Sequence, residues 1–156
     1  DVACLFLSTR RPSAGAPSAS SASAPPAPAS PYTIVFSHCN SDDIGYLLPD
    51  LHKLSLETGC DILAYDYRGF GRSEGSPSEH TCSTNHRAVL RHARERLGLL
   101  PARTVLMGQS LGSCVVLQGA RHEPCAGVII DSAITSGPEV FGCGGLPRAS
   151  TCIKPF

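Results

Sequence analysis

The sequence predicts an α/β fold with a mostly parallel sheet, and two observations carry that prediction. Strand-like and helix-like segments alternate through three successive units between residues 33 and 130, and the last unit opens with Gly-x-Ser-x-Gly where a strand must reverse into a helix. Parallel strands need crossover connections, and right-handed crossovers place helices on both faces of a twisted sheet. The chain has 156 residues, 42% apolar and 17% charged, which is enough for one domain with a core.

Residues 2–7 (Val-Ala-Cys-Leu-Phe-Leu) form a brief apolar run that predicts a strand. Residues 12–31 are low-complexity Ser, Ala and Pro with no aromatic and no charged residue. Such a tract cannot bury enough surface to offset its ordering entropy, which predicts a disordered insertion between two strands of one sheet. An inter-domain linker is the alternative.

Regular patterning starts after Tyr32. Residues 33–37 are a β-branched strand. Residues 44–58 carry Leu47, Leu48, Leu51, Leu54 and Leu56, mostly at helical spacing, with Gly59 as the stop and Pro49 predicting a turn before the helix proper. Residues 61–67 are the next strand, and 68–75 a glycine-rich loop. A helix is expected over 83–97, capped by Ser83 or Thr84 and stopped by Gly98. Strands at 103–107 and 126–130 enclose an apolar helix over 111–120, and beyond Asp131 the chain turns glycine- and proline-rich with no assignable element.

Composition excludes several classes. Formal net charge is zero, so no general attraction draws the chain to nucleic acid or to an anionic membrane. No apolar run reaches the roughly 18 residues that span a bilayer. The chain begins at Asp1 with no basic and apolar leader, which predicts a fragment or processed chain. Of its 8 cysteines none forms Cys-x-x-Cys, so zinc spacing is absent. Cys60, Cys114 and Cys125 lie in or beside apolar runs as small hydrophobes, and reduced thiols in a cytosolic setting are expected.

The chemistry centres on Ser110. Residues 104–107 are a short buried strand, and Ser110 follows at the reversal, where a strained backbone is tolerated only with very small neighbours two residues either side. Gly108 and Gly112 supply them. The alternative is a strand-to-helix turn that merely carries a serine; the strand-motif-helix context favours a nucleophile. A serine hydroxyl needs a base to take its proton and donors already aimed at the oxyanion. One donor is the Leu111 N–H at a helix start; the second is expected from the loop after strand 33–37, which reads His38-Cys-Asn-Ser-Asp-Asp43.

Three stretches then carry a resemblance: Ile34-Val-Phe-Ser-His-Cys-Asn40, Ala64-Tyr-Asp-Tyr-Arg-Gly-Phe-Gly-Arg-Ser-Glu-Gly75 and Gly108-Gln-Ser-Leu-Gly112. In order and spacing they resemble the α/β-hydrolase superfamily over residues 32–137, and within it the membrane-associated serine hydrolases that act as palmitoyl-protein thioesterases. The resemblance implies that Ser110 attacks an acyl carbonyl while N–H groups of Leu111 and of Cys39 or Asn40 hold the oxyanion. It implies an acyl ester or thioester substrate, with a lipidated protein as one case, and neither metal nor organic cofactor. It places the protein in the cytoplasm, with peripheral association at the cytoplasmic face of a membrane. Residues 1–11 then supply a leading strand of the hydrolase sheet, 12–31 the insertion, and 32–156 an incomplete hydrolase domain.

Two departures matter. Cys39 stands where the family has glycine, which puts the oxyanion geometry at stake. The family's acid and histidine follow on loops after later strands, and 156 residues leave no room for them, so the C-terminal strands and both residues are expected to be missing. The chain alone is then inactive, or a hydrolase-like binding module. Asp131, at the end of strand 126–130, is the best local acid, against a plain role in capping the next turn. His38 is a weak candidate base whose default is to order its own loop. His52, His86, His92 and His122 fall on helices, solvent-facing or partly buried, and His80 in a loop. The glycine-rich loop lacks a nucleotide-binding ending and serves as a turn beside the site. Arg87, Arg91 and Arg94 recur at helical spacing, a solvated face or an attraction to an anionic surface.

Overall fold

A computed structural model describes residues 1–9 and 30–133. Five strands form one sheet in the order β1-β3-β2-β4-β5. Its central strands are β2 (Thr33–Ser37), β3 (Asp61–Tyr65) and β4 (Thr104–Gln109), with β1 (Cys4–Leu7) and β5 (Gly127–Asp131) at the edges among the described residues. All neighbours run parallel except β1, which pairs antiparallel with β3 in the register Cys4↔Tyr65 to Leu7↔Ile62. The predicted α/β class is therefore the observed one.

Helices cover both faces. Helix α1 (Ile44–Thr58) lays Leu47 and Leu51 on one face against Ile34, Phe36, Ile62 and Ala64. Helices α2 (Glu79–Leu97) and α3 (Leu111–His122) cover the other, where Val89, Leu90, Val115 and Val116 meet Val35, Leu63, Tyr65 and Leu106. Strands β2 and β3 are buried along their whole length, as sheet strands covered on both faces must be. On the outer edge, β5 exposes Val128 and Ile129.

Several expectations need correction. Pro49 lies inside α1 and does not end a preceding turn. The carbonyl its ring displaces is that of Gly45, four residues earlier on the exposed first turn, where solvent reaches it. Helix α2 starts at Glu79 and not at 83, because Ser78 and Thr81 form a reciprocal capping box: Thr81 N–H donates to Ser78 Oγ and Ser78 N–H to Thr81 Oγ1. His80 therefore sits in the first turn of α2 and not in a loop. Strand β3 stops at Tyr65, two residues short of expectation, and α3 runs on to His122. Among the described residues Cys82, and not Cys60, Cys114 or Cys125, is the fully buried thiol; those three are half-buried. Most of the 12–31 tract lies outside the described residues. Its flanks return to one place: Thr9 N–H donates to Asp61 Oδ1 at 2.8 Å and Ser30 N–H to Gly59 O at 2.8 Å.

Candidate active site

Strand order dictates where a site can form. From β2 the chain crosses through α1 to β3 on one side, then through α2 to β4 on the other side of β2. The carboxyl ends of β2 and β4 thus flank the point where the winding reverses, which opens a crevice in sheets of this kind. The register Ser37↔Gly108 carries the His38–Asn40 loop and Ser110 out of the sheet side by side.

Ser110 has φ 50° and ψ −110°, and only one other described non-glycine residue, Ser132, has positive φ. That conformation costs about 1–3 kcal/mol for a residue with a Cβ. Three contacts hold it there. Ser110 N–H donates to Asp131 O on β5 at 2.9 Å, and the N–H and hydroxyl of Ser113 both donate to Ser110 O. Beneath it, a Cβ on Gly108 would strike the Gly112 carbonyl, and one on Gly112 would strike the Ser37 carbonyl. The motif glycines are therefore required by close approach, and β2, β4 and α3 meet backbone to backbone at this bend. Ser110 precedes a helix yet makes no side-chain cap. A capping serine has an extended backbone, and the φ of Ser110 departs from it. The first N–H groups of α3, beginning at Leu111, have no partner within the helix.

Across the crevice, Cys39 is not among the described residues with positive φ. A side chain there costs no backbone strain. Its thiol is turned along its own loop, donating to Asp42 Oδ2 at 2.9 Å and lying 3.0 Å from Ser41 Oγ. Asn40 is half-buried, and its Oδ1 has no hydrogen-bond partner.

His38 is fully buried, its ring 4.4 Å from that of Tyr67 and 5.4 Å from that of Phe70. Its Nδ1 lies 2.7 Å from Cys39 O, and Tyr67 Oη donates to His38 O at 2.9 Å. Burial pushes the imidazole pKa down, against the Cys39 carbonyl and the charge of Asp66. The neutral ring donating from Nδ1 therefore fits this position. Its Nε2 faces Asp66 Oδ1 at 3.6 Å, too long for a hydrogen bond, and has no other partner. His38 is aimed into the core and orders its loop; the weak reading of it as a base does not survive.

Asp66 is a residue to which the motif reading gave no role. It is 1% exposed and joins three segments. Oδ1 accepts from Ile44 N–H at 2.8 Å, the first residue of α1; Oδ2 accepts from Arg72 N–H at 3.3 Å; and its carbonyl accepts from Ser73 Oγ at 2.8 Å. Gly71, at φ 49°, is pressed so close to this carboxylate that a Cβ would overlap it. Burial raises the Asp66 pKa, opposed chiefly by the Ile44 and Arg72 amides. The glycine-rich loop thus wraps a buried carboxylate that pins the start of α1.

Asp131 does end β5 beside Ser110, but its carboxylate is engaged by Gln109 Nε2 and Ser132 Oγ, each at 3.0 Å. These bonds tie the carboxylate to β4 and to the next residue, and among the described residues no imidazole is bonded to it. Among the described residues no histidine is recorded in hydrogen-bonding contact with Ser110. His86 corrects the expectation for the helical histidines: it is wholly buried, with Nδ1 2.9 Å from Tyr65 Oη, which in turn lies 2.8 Å from Ser37 Oγ. Its Nε2 is unpartnered against Gly119. The spacing Cys82, His86, Val89, Ala93 on α2 was the available signal, a buried stripe with an imidazole in it.

Comparison with known proteins agrees with this geometry. A model of the alpha/beta hydrolase fold matches residues 32–142. The chain is 37% identical over 113 residues to alpha/beta hydrolase domain-containing protein 17C of Xenopus tropicalis, covering 72% of this chain and 36% of that protein. The human protein 17C is 38% identical over the same share of this chain and 34% of its own length, so the chain spans about a third of the curated relatives it matches. Among solved structures, an alpha-beta hydrolase from Vibrio vulnificus superposes with a TM-score of 0.64 at 18% identity, covering 78% of this chain and 45% of that one. Mouse alpha/beta hydrolase domain-containing protein 10 gives 0.60 at 17% identity, covering 94% and 50%. At such identities the likeness is one of fold.

Proposed function

From a chain that belongs to the α/β-hydrolase fold family, we propose a serine hydrolase in which Ser110 attacks an acyl carbonyl and carries the acyl group as a seryl ester. The observation that supports it is the backbone of Ser110: a left-handed φ at the end of a buried strand, held among glycines and directly before a helix. The Ser110 Oγ–H bond gives its proton to a base as Oγ bonds to the carbonyl carbon. The carbonyl electron pair moves onto oxygen, and the leaving alcohol or thiol departs with the proton when the carbonyl re-forms. The Leu111 N–H and that of Cys39 or Asn40 face the developing oxyanion. One such donor contributes about 3–4 kcal/mol.

The substrate class is an acyl ester or thioester. The resemblance to palmitoyl-protein thioesterases favours a lipidated protein, met in the cytoplasm at the cytoplasmic face of a membrane. No base or acid is assigned among the described residues, where His38 and His86 are committed to the core. That commitment also favours a second reading, a hydrolase-like binding module that keeps the crevice without turnover. Release of free thiol from a short-chain acyl thioester separates them. Slow hydrolysis above the buffer rate, the residual activity that oxyanion donors and binding leave without a base, is the expected result, and Ser110→Ala abolishes it. An equal rate in the variant overturns Ser110 as nucleophile, and a folded protein with no turnover selects the binding module.

A further inference from the structure

Helix α2 carries Arg87, Arg91 and Arg94 at intervals of four and three residues, which puts them on one face. With Thr84, Ala88 and Glu123 they line a groove of about 320 Å³ beside the end of α3. Two ordinary reasons for arginine on a helix do not account for them. Cations favour the negative end of the helix, but that effect fades within the last turn; it covers Arg94 and Arg96 and not Arg87 or Arg91. Ion pairing covers Arg94, whose Nη1 lies 2.6 Å from Glu123 Oε2. Arg87 and Arg91 have no recorded ion-pair or hydrogen-bond partner among the described residues, and like charges four apart work against the helix that bears them.

The groove therefore holds three guanidinium groups against one carboxylate, on a chain whose formal net charge is zero. The field reaches Glu123, whose carboxyl is held below its usual range, first by the Arg94 hydrogen bond and further by the charges of Arg94 and Arg87. Ala88, with its small side chain, lines the same groove. Guanidinium forks match the oxygens of a phosphate in bidentate fashion, and an unneutralised pair calls for a dianion. The groove lies at the far end of α3 from Ser110, 12 residues or about 18 Å along the helix, so it is not a subsite of the crevice.

We propose that this α2–α3 groove is a binding site for a phosphomonoester dianion, held by Arg87 and Arg91 with Arg94 fixed in place by Glu123. The group can belong to a membrane headgroup or to a soluble phosphate ester, and one experiment with two arms tells them apart. In the first, amide shifts of the 156-residue chain are followed by NMR while inorganic phosphate is titrated at low ionic strength. In the second, flotation is measured with phosphatidylcholine vesicles with and without phosphatidylinositol monophosphate.

Saturable shifts centred on residues 84–94 and 123 are expected, lost in the double variant R87Q/R91Q and retained in Ser110→Ala. Flotation that needs the phosphoinositide, competes with phosphate and weakens about 30-fold in R87Q/R91Q identifies a headgroup, at roughly 1 kcal/mol per arginine. Phosphate shifts without flotation identify a soluble ester. Shifts absent or centred elsewhere in the wild-type chain overturn the proposal whatever the variant does. So does binding that a folded R87Q/R91Q keeps. Neither outcome depends on whether Ser110 is a nucleophile.

Discussion

Ser110 is held in place at an energetic cost, and that cost can be measured without reference to any reaction. Its φ of 50° and ψ of −110° suit glycine and penalise any Cβ by about 1–3 kcal/mol, whereas a glycine also adds roughly 0.5–1 kcal/mol of unfolded-chain entropy to be lost on folding. The strain term is the larger. Ser110→Gly is therefore expected to raise the unfolding free energy in urea by about 1 kcal/mol, while Ser110→Ala, which keeps the Cβ, leaves it close to the wild-type value. Equal effects from the two substitutions would mean that the bend is unstrained. Cys39 shows the opposite case. Its position invites glycine by resemblance, yet its backbone φ is ordinary and its thiol is occupied by Asp42, so the side chain is accommodated without distorting the loop.

At the level of elements, α2 shows which parts of the molecule were legible in the sequence. Its existence and its apolar stripe could be read from spacing. Its start could not, because Ser78–Thr81 lacks the Glu or Gln of the usual capping box and Ser83 and Thr84 offered a plausible cap nearer the stripe. The fate of His86 was equally hidden, since burial of an imidazole depends on Tyr65, 21 residues away, supplying a hydroxyl to Nδ1. That burial predicts acid sensitivity. Desolvation lowers the His86 pKa from 6.5 to about 4. A depressed imidazole contributes fully above its unfolded pKa, and the contribution is lost as pH falls from 6.5 toward 4, when the unfolded chain takes the proton first. Between about pH 7 and about pH 4.5 the loss is roughly 2–3 kcal/mol. His38, also lowered, acts in the same direction. Asp66, raised by burial, acts against both: its neutral form suits the fold, so its contribution grows as pH falls. Urea midpoints measured at the two pH values should separate clearly in the wild-type chain and converge in His86→Gln, whose amide can still bond Tyr65. An unchanged separation in that variant would remove His86 from the account.

In the molecule as a whole, strand order sets the carboxyl ends of β2 and β4 side by side, and the Gly-x-Ser-x-Gly bend leaves the sheet there. The alternation of strands and helices was readable because each element writes its own period into the chain. The order β1-β3-β2-β4-β5 and the antiparallel seating of β1 were not, since pairing is decided by contacts between distant segments. The same limit applied to Asp66: its type and place in the glycine-rich motif were visible, but its grip on the start of α1 needed the folded chain. At the site, the reverse turn at Ser110 and its glycines were legible, because local sterics demand those residues. The commitment of His38 to the core was not legible, because it follows from packing against Tyr67 and Phe70.

The central claim is that the fold presents one serine for attack on a carbonyl. A fluorophosphonate added to the folded chain, followed by intact-mass measurement and peptide mapping, addresses it directly. The account predicts a single adduct, on Ser110, formed slowly in the absence of an assigned base and lost in Ser110→Ala. A folded chain that takes up no phosphonate, or takes it up on other serines as readily as on Ser110, would contradict it.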